Sequence, residues 1–312
     1  MEIYGMLGEK LGSIGEVKAH HLGQAEERDI PQWKKDFLQK PSISTRRGIA
    51  WGYGSPYEDT DTLVLTSTQS DFIDIRFPRK RDLGKPLASD PAFWAFSGSS
   101  TTTFLDGDSI NMPYSAHCVW KHEIDSKGPG ISDEGDMFLL PNGDCMEVGT
   151  MQNPRSGHVE MYKEYWTTPD VAGELGHAPC IVAKITQLPN DHEGKEVPKQ
   201  KGSGGAIIRI GNYCQGIVRQ QSGDLEGPLA HADTVLVERW TRNSSTTGDG
   251  QHSGAAASTG WVQDWRNNTP ADTGISMPCM WVCDDNRKLG DQTVVKGTTW
   301  EVVEAVLGQE ES

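Results

Sequence analysis

Within ten residues, AHCVWKHEID (Ala116 to Asp125), the chain carries two histidines, one cysteine and two carboxylates. Such side chains can ligate zinc, move a proton or activate a thiol, and spacing discriminates among the three. On an extended strand, side chains two apart share a face. Cys118, Trp120, His122 and Ile124 then form one face, and His117, Val119, Lys121 and Glu123 the other. A strand sends His117 and His122 to opposite faces, and a helix of roughly 3.6 residues per turn holds them ~140° apart. Neither arrangement converges on one tetrahedral ion. Cys118 and His122 share a face, but four extended residues separate their Cα atoms by about 13 Å, which excludes direct proton transfer. What remains is a strand with one wetted, charged face and one apolar face bearing a single imidazole. His122 is therefore the candidate catalytic acid or base; the plainer reading is a structural histidine satisfied by a neighbouring carbonyl.

Other clusters carry less. SDEGDMF (132–138) gathers Asp133, Glu134 and Asp136 without the frame of an EF-hand, and reads as a solvated acidic turn before a strand over 137–140. Six cysteines (118, 145, 180, 214, 279, 283) are scattered singly, and Cys279 and Cys283 in PCMWVC have no second pair. They read as same-face thiols of a strand. The sequence contains no GxGxxG opening a helix, no Walker A, no GxSxG and no HExxH. The expectation is no metal and no cofactor. Ten tryptophans are many for 312 residues; large aromatics fill barrel cores and also line sites for flat apolar ligands. The candidate ligand-binding set is Cys118, Trp120, His122, Trp94 and Tyr162.

Composition narrows the partners. A formal charge of −15 and a pI near 5.0 leave no basic stripe for phosphates, so nucleic acid is excluded. The N-terminus lacks a cationic region followed by an apolar run, and no segment approaches the ~20 apolar residues of a membrane span. The expectation is a cytoplasmic protein with reduced thiols and no membrane partner.

The elements that must position these residues have period two. Short strand candidates include TLVLTS (62–67), FIDIRF (72–77), FWAFSG (93–98), CVWKHEI (118–124), CMEVGTM (145–151) and HVEMYKEYW (158–166). A second series follows with CIVAKIT (180–186), AIIRIG (206–211), QGIVRQ (215–220), TVLVERW (234–240), GWVQDW (260–265), CMWVCD (279–284), QTVVKG (292–297) and TWEVVEAV (299–306). Gly-rich turns separate them, which points to an all-β chain of two similar antiparallel, lipocalin-like barrels. Residues 1–42 are read as an extension with a short helix on Ile30, Trp33 and Phe37, 43–170 as the first barrel and 176–307 as the second, each with its own core. The run at 241–260 is low in complexity and reads as a long hairpin loop.

The ordered series TLVL…FIDIRF, FWAFSG, CVWKHEIDS, EYWTTPD, CIVAKIT…AIIRIGNYCQGIV and KGTTWEVVE, from about Arg46 to Glu304, resembles a fungal family of two-barrel, lipocalin-like proteins. That family is named for its yeast member's interaction with a casein-kinase-I-type kinase. The resemblance implies the fold and a kinase as one protein partner; it brings no chemistry, cofactor or catalytic residue. Two functions compete. One is a binding or adaptor protein for a protein partner or a small hydrophobic or aromatic molecule. The other is a cofactor-independent cyclase or isomerase acting on a fungal polyketide or terpenoid of secondary metabolism.

Overall fold

Period-two alternation is realised along the chain as fifteen strands in a computed structural model, which describes residues 40–80, 82, 87–104, 115–169, 178–188, 204–219, 235–242, 260–266 and 276–307. The expected helix near Trp33 and Phe37, most of the 241–260 loop and the centre of the join at 170–177 lie outside them. Among the described residues, no helix is long and apolar enough to cross a membrane.

Strands β1 (Ser42–Trp51), β2 (Thr60–Thr66), β3 (Asp71–Pro78), β4 (Trp94–Phe104), β5 (Ser115–Asp125), β6 (Ser132–Leu139), β7 (Cys145–Gln152) and β8 (Val159–Thr167) form a closed antiparallel barrel. Each pairs with the next, and β8 returns to β1. Seven more follow: β9 (Cys180–Gln187), β10 (Gly205–Ile210), β11 (Tyr213–Arg219), β12 (Val235–Arg242), β13 (Trp261–Arg266), β14 (Gln292–Val295) and β15 (Thr298–Val306). They make one antiparallel sheet in the order β13-β12-β11-β10-β9-β15-β14. The chain is all-β, as its alternation implies. The second unit is a curled sheet rather than a closed barrel: among the described residues, β13 and β14 are its edges.

CMWVCD departs from the expected strand. It forms a one-turn helix, α1 (Cys279–Val282), which buries Cys279 and Val282. Apolar residues at 279, 282 and 283 satisfy a helical repeat as well as an extended one, an ambiguity inherent in so short a run. The sheet makes room for it at Gly216, where a Cβ would stand 2.8 Å from Cys279 Sγ and 3.0 Å from Met277 Sδ.

Each unit keeps a cluster of its own, Ile181, Ala183, Ile207 and Trp300 in the second sheet and Phe72, Trp94 and Phe96 in the barrel, and the two share a further one. The outer face of β1–β3 carries Ile43, Leu63, Leu65, Ile73, Ile75 and Phe77, each at most 3% exposed. This face packs in one cluster with Cys180, Val182, Ile208, Ile210, Ile217 and Val237 of the second sheet. Polar groups sewn through that contact are themselves satisfied. Gln215 donates Nε2 to the carbonyls of Leu63 and Ile73 and accepts from Arg239 Nε. Arg239 also reaches the Asp61 carboxylate and the Ile75 carbonyl. Glu304 of β15 accepts from the Ser67 hydroxyl and the Thr68 amide.

Because that apolar face belongs to both units, the protein is expected to unfold in one cooperative calorimetric transition. Residues 40–169 expressed alone should aggregate or bind apolar dyes through the bared face. Two well-separated transitions, or a soluble monomeric first barrel that binds no dye, would contradict this.

A bulge fixes the chemistry-bearing end of β5. Ser97 pairs with Ile124, but Gly98 pairs with His122, leaving Glu123 as the extra residue. A bulge transfers the following residues to the opposite face. Ile124 therefore joins the outer cluster and Asp125 turns inward. Ile124 was expected to share the face of His122, and the bulge is the reason that it does not.

Candidate ligand-binding site in the first barrel

The inward residues of the first barrel enclose a cavity of about 710 Å³, within the usual range of small-molecule sites. Strand direction gives it a depth axis. The N-terminus of β1, the β6–β7 turn and the C-terminus of β8 lie at one end, where Lys40, Pro141, Gly143 and Thr168 contribute to the lining. Pro141, Gly143 and Thr168 are exposed, so the cavity opens there. Its walls are Val64, Phe72, Phe96, Trp120, Met137 and Trp166, with the hydroxyls of Ser44, Ser100 and Thr102 among them. Toward the floor stand Asp74, Arg76, Asp133 and Glu147.

That floor is a buried ion network. Arg76 donates Nε and Nη2 to Asp74 Oδ2 at 3.0 and 2.8 Å, and Nη1 to Glu164 Oε1 at 3.3 Å. Arg46 also binds Glu164, and spans Glu58 at 2.9 and 3.1 Å and the Thr60 hydroxyl at 2.9 Å. The Arg76 guanidinium lies 4.9 Å from the Trp94 ring and 5.3 Å from Phe96, a stacked arrangement suited to its flat, weakly hydrated cation. Glu147 accepts from Tyr162 Oη at 2.7 Å and from Trp166 Nε1 at 2.9 Å. Two glycines make this pair possible. Gly135 and Gly149 stand opposite each other on β6 and β7. A Cβ on Gly149 would meet the Tyr162 hydroxyl at 2.5 Å, and one on Gly135 would meet Glu147 Cγ at 2.9 Å.

The carboxyls respond to their surroundings. Burial pushes Glu147 well above the carboxylate range, with Glu164 and Asp133 adding repulsion. Burial raises Asp133 to about 6, against the pull of Arg76. Burial also raises Asp74 despite its pairing with Arg76. Asp74 Oδ2 takes both bonds from Arg76, while Oδ1 is buried without a hydrogen-bond partner.

A carboxyl whose folded pKa exceeds its unfolded one binds more protons when folded, so stability falls as pH rises between the two values. For Asp133 that window runs from the ordinary aspartate value of 3.8 to about 6. Chemical denaturation is expected to show stability declining across it, with Asp133 contributing on the order of 3 kcal/mol and Asp133→Asn reducing the slope. A stability that rises between pH 4 and 7 in the wild type, or a slope unchanged by the substitution, would contradict this.

The candidate residues divide. Cys118 and Trp120 line the cavity; Cys118 is 3.5 Å from the Thr102 hydroxyl, and burial raises its thiol pKa. His122, Trp94 and Tyr162 lie in the same barrel but outside the lining. The His122 side chain is only 1% exposed, with Nδ1 2.6 Å from Asp125 Oδ2. Its ring stacks on Phe96 at 4.2 Å, and Nε2 has no partner. Trp94 Nε1 donates to the other oxygen of Asp125 at 3.0 Å. His117 lies outside beside Asp136. Among the described residues, no three His, Cys, Asp or Glu side chains converge as a metal site.

The floor was missed by sequence reasoning. The supposed acidic turn SDEGDMF is strand β6, and its alternation sends Asp133 inward and Glu134 and Asp136 outward. Asp74 and Arg76 in FIDIRF carried a usable signal: opposite charges two apart on one face of a strand. Chemically, the cavity offers an apolar body site, the charge of Asp74, and one carboxyl, Asp133, able to exchange a proton near neutrality.

The Protein HRI1 family model matches residues 42–304. The search of curated proteins found no match. Among solved structures, the crystal structure of the uncharacterized protein YLR301w from Saccharomyces cerevisiae is similar, with a TM-score of 0.57 at 18% identity, covering 86% of this chain and 100% of that one. At that identity the likeness speaks for the fold. The family match spans both β units, from the first strand of the barrel into the last strand of the second sheet, and by it the chain belongs to the Protein HRI1 family.

Proposed function

We propose that this protein is a lipocalin-like binding protein that encloses a small molecule in its first barrel. The observation that carries the reading is the cavity of about 710 Å³, walled by Phe72, Phe96, Trp120 and Trp166 and floored by Asp74, Arg76, Asp133 and Glu147. Aromatic walls hold an apolar body by contact, and a few buried polar groups orient it. The six cysteines are free thiols, which suits a reducing compartment such as the cytoplasm.

Titration with the uncharged fluorophore N-phenyl-1-naphthylamine tests this. Saturable 1:1 binding with a blue-shifted emission is expected. It should be largely lost in Ser44→Trp, which fills the cavity from β1. Absence of binding, or equal binding by the filled variant, would overturn the reading.

Asp133 favours a second reading, a cofactor-independent isomerase or cyclase. Its carboxyl lines the cavity with a pKa of about 6, near the optimum for general acid–base work. His122 is not the base of this reading, because it lies outside the lining and is engaged with Asp125. Chemical change of a bound ligand that is abolished by Asp133→Asn with binding retained would establish catalysis; unchanged recovery of the ligand from the wild type would leave binding alone.

A further inference from the structure

The floor of the cavity has an excess of negative charge and one acceptor with nothing to accept. Arg46 and Arg76 face three directly bonded carboxylates, Glu58, Asp74 and Glu164. The cluster is therefore one positive charge short before Asp133 and Glu147 are counted. Neighbouring groups do not repair the deficit. His122 is engaged by Asp125, with Nδ1 2.6 Å from Oδ2. Lys40 belongs to the mouth, where its Nζ donates to Ser70 Oγ at 2.6 Å. Lys127 sets its amine against the Trp94 ring, where Asp125 offsets its charge.

The unsatisfied atom lies in the same place. Asp74 is 3% exposed and lines the cavity, and its Oδ1 has no hydrogen-bond partner. A buried carboxylate oxygen left without a donor is costly. The aromatic lining is already compatible with cations, since Phe96 and Trp166 both lie within 6.0 Å of the Arg76 guanidinium.

We propose that the ligand of the first barrel is a small amphiphilic cation, an ammonium group on an apolar body, whose charge is balanced by Asp133 and Asp74 on the floor. This rests on the reading of the barrel as a small-molecule site. The apolar body would lie among Phe72, Met137 and Leu139, toward the mouth. An anionic head on the floor would instead meet Asp74 and Asp133. The groups facing Asp133 are Arg76, Glu164, His122, Asp74, Glu147 and Tyr162. Protonation of Asp133 removes its share of the attraction, so affinity for a cation should fall as pH drops through about 6.

The test uses three dansyl probes of matched length: dansylcadaverine, which is cationic; dansyl-pentylamide, which is neutral; and N-dansyl-6-aminohexanoate, which is anionic. At pH 7.5 the cationic probe is expected to bind at least about tenfold tighter than the neutral one, the usual worth of a hydrogen bond to a charged group. Its preference should shrink at pH 5 and in Asp133→Asn, whereas the neutral probe should bind alike in each case. Asp74→Asn should also abolish the preference; Asp133→Asn leaves the Asp74–Arg76 pair intact and keeps the test usable if the Asp74 variant fails to fold. Equal binding of all three probes, or tightest binding of the anion, would overturn the cation proposal and leave the barrel as a binding site. Binding of none of them to the wild type would overturn both.

Discussion

Replacing Arg76 with leucine is expected to destabilise the protein by about 3–5 kcal/mol, the usual effect of removing one partner of a buried ion pair. Arg76 gives Asp74 two hydrogen bonds and Glu164 one, with Asp74 3% and Glu164 2% exposed. Leucine leaves both carboxylates next to apolar rings without that cation, and Arg46 can reach only Glu164. The pH dependence carries the diagnosis. Without Arg76 the folded pKa of Asp74 must rise further above its unfolded value, so the variant should gain stability on acidification as the carboxyl takes up its proton. Denaturation at pH 5 and pH 8 should show a larger deficit at pH 8. Adding Asp74→Asn should recover part of it. An equal deficit at both values, or one below about 1 kcal/mol as for a surface pair, would show that the network is not buried as described.

Gly98→Ala is the second large effect. A Cβ at this position would stand 1.9 Å from the Lys121 carbonyl oxygen and 3.0 Å from the Glu123 amide nitrogen. Both are backbone atoms of the bulge and cannot rotate away. The β4–β5 register must shift, at a cost of about 3 kcal/mol or more, the upper range for overpacking a closed site. Because the bulge is what turns Asp125 inward, the same substitution should disturb the His122–Asp125 and Trp94–Asp125 bonds. Tryptophan emission and the imidazole proton resonances should change together with the unfolding midpoint. A folded variant with both signals unaltered would refute the role given to Gly98.

Period two was legible wherever strands are long and their turns rich in glycine. It located β2 to β5, β7 and β8 of the barrel and the paired strands of the second unit, but not β1. It could not say which face of a strand is inside. In FIDIRF, the apolar set Ile73, Ile75 and Phe77 is the natural choice for a barrel interior, yet it faces outward under the second sheet. Phe72, Asp74 and Arg76 face the cavity. Apolar faces seek any burial, and here a neighbouring sheet supplies it from outside. The acidic run at 132–138 was misread for the related reason that carboxylates on a strand imitate a solvated turn; only its alternation distinguished Asp133 from Glu134. The bulge at Glu123 depends on a glycine of another strand, which no local pattern reveals. Among the candidates, Cys118 and Trp120 were legible as lining residues because they precede that bulge.

The central claim is that the first barrel holds a small molecule, and a crystal structure of the protein soaked with N-phenyl-1-naphthylamine tests it most directly. The predicted result is one probe molecule inside the barrel, its rings against Phe72, Phe96 and Trp166, with the mouth between Lys40 and Pro141 as its entry. A barrel interior filled only by ordered water, with the probe bound elsewhere or not at all, would contradict the account.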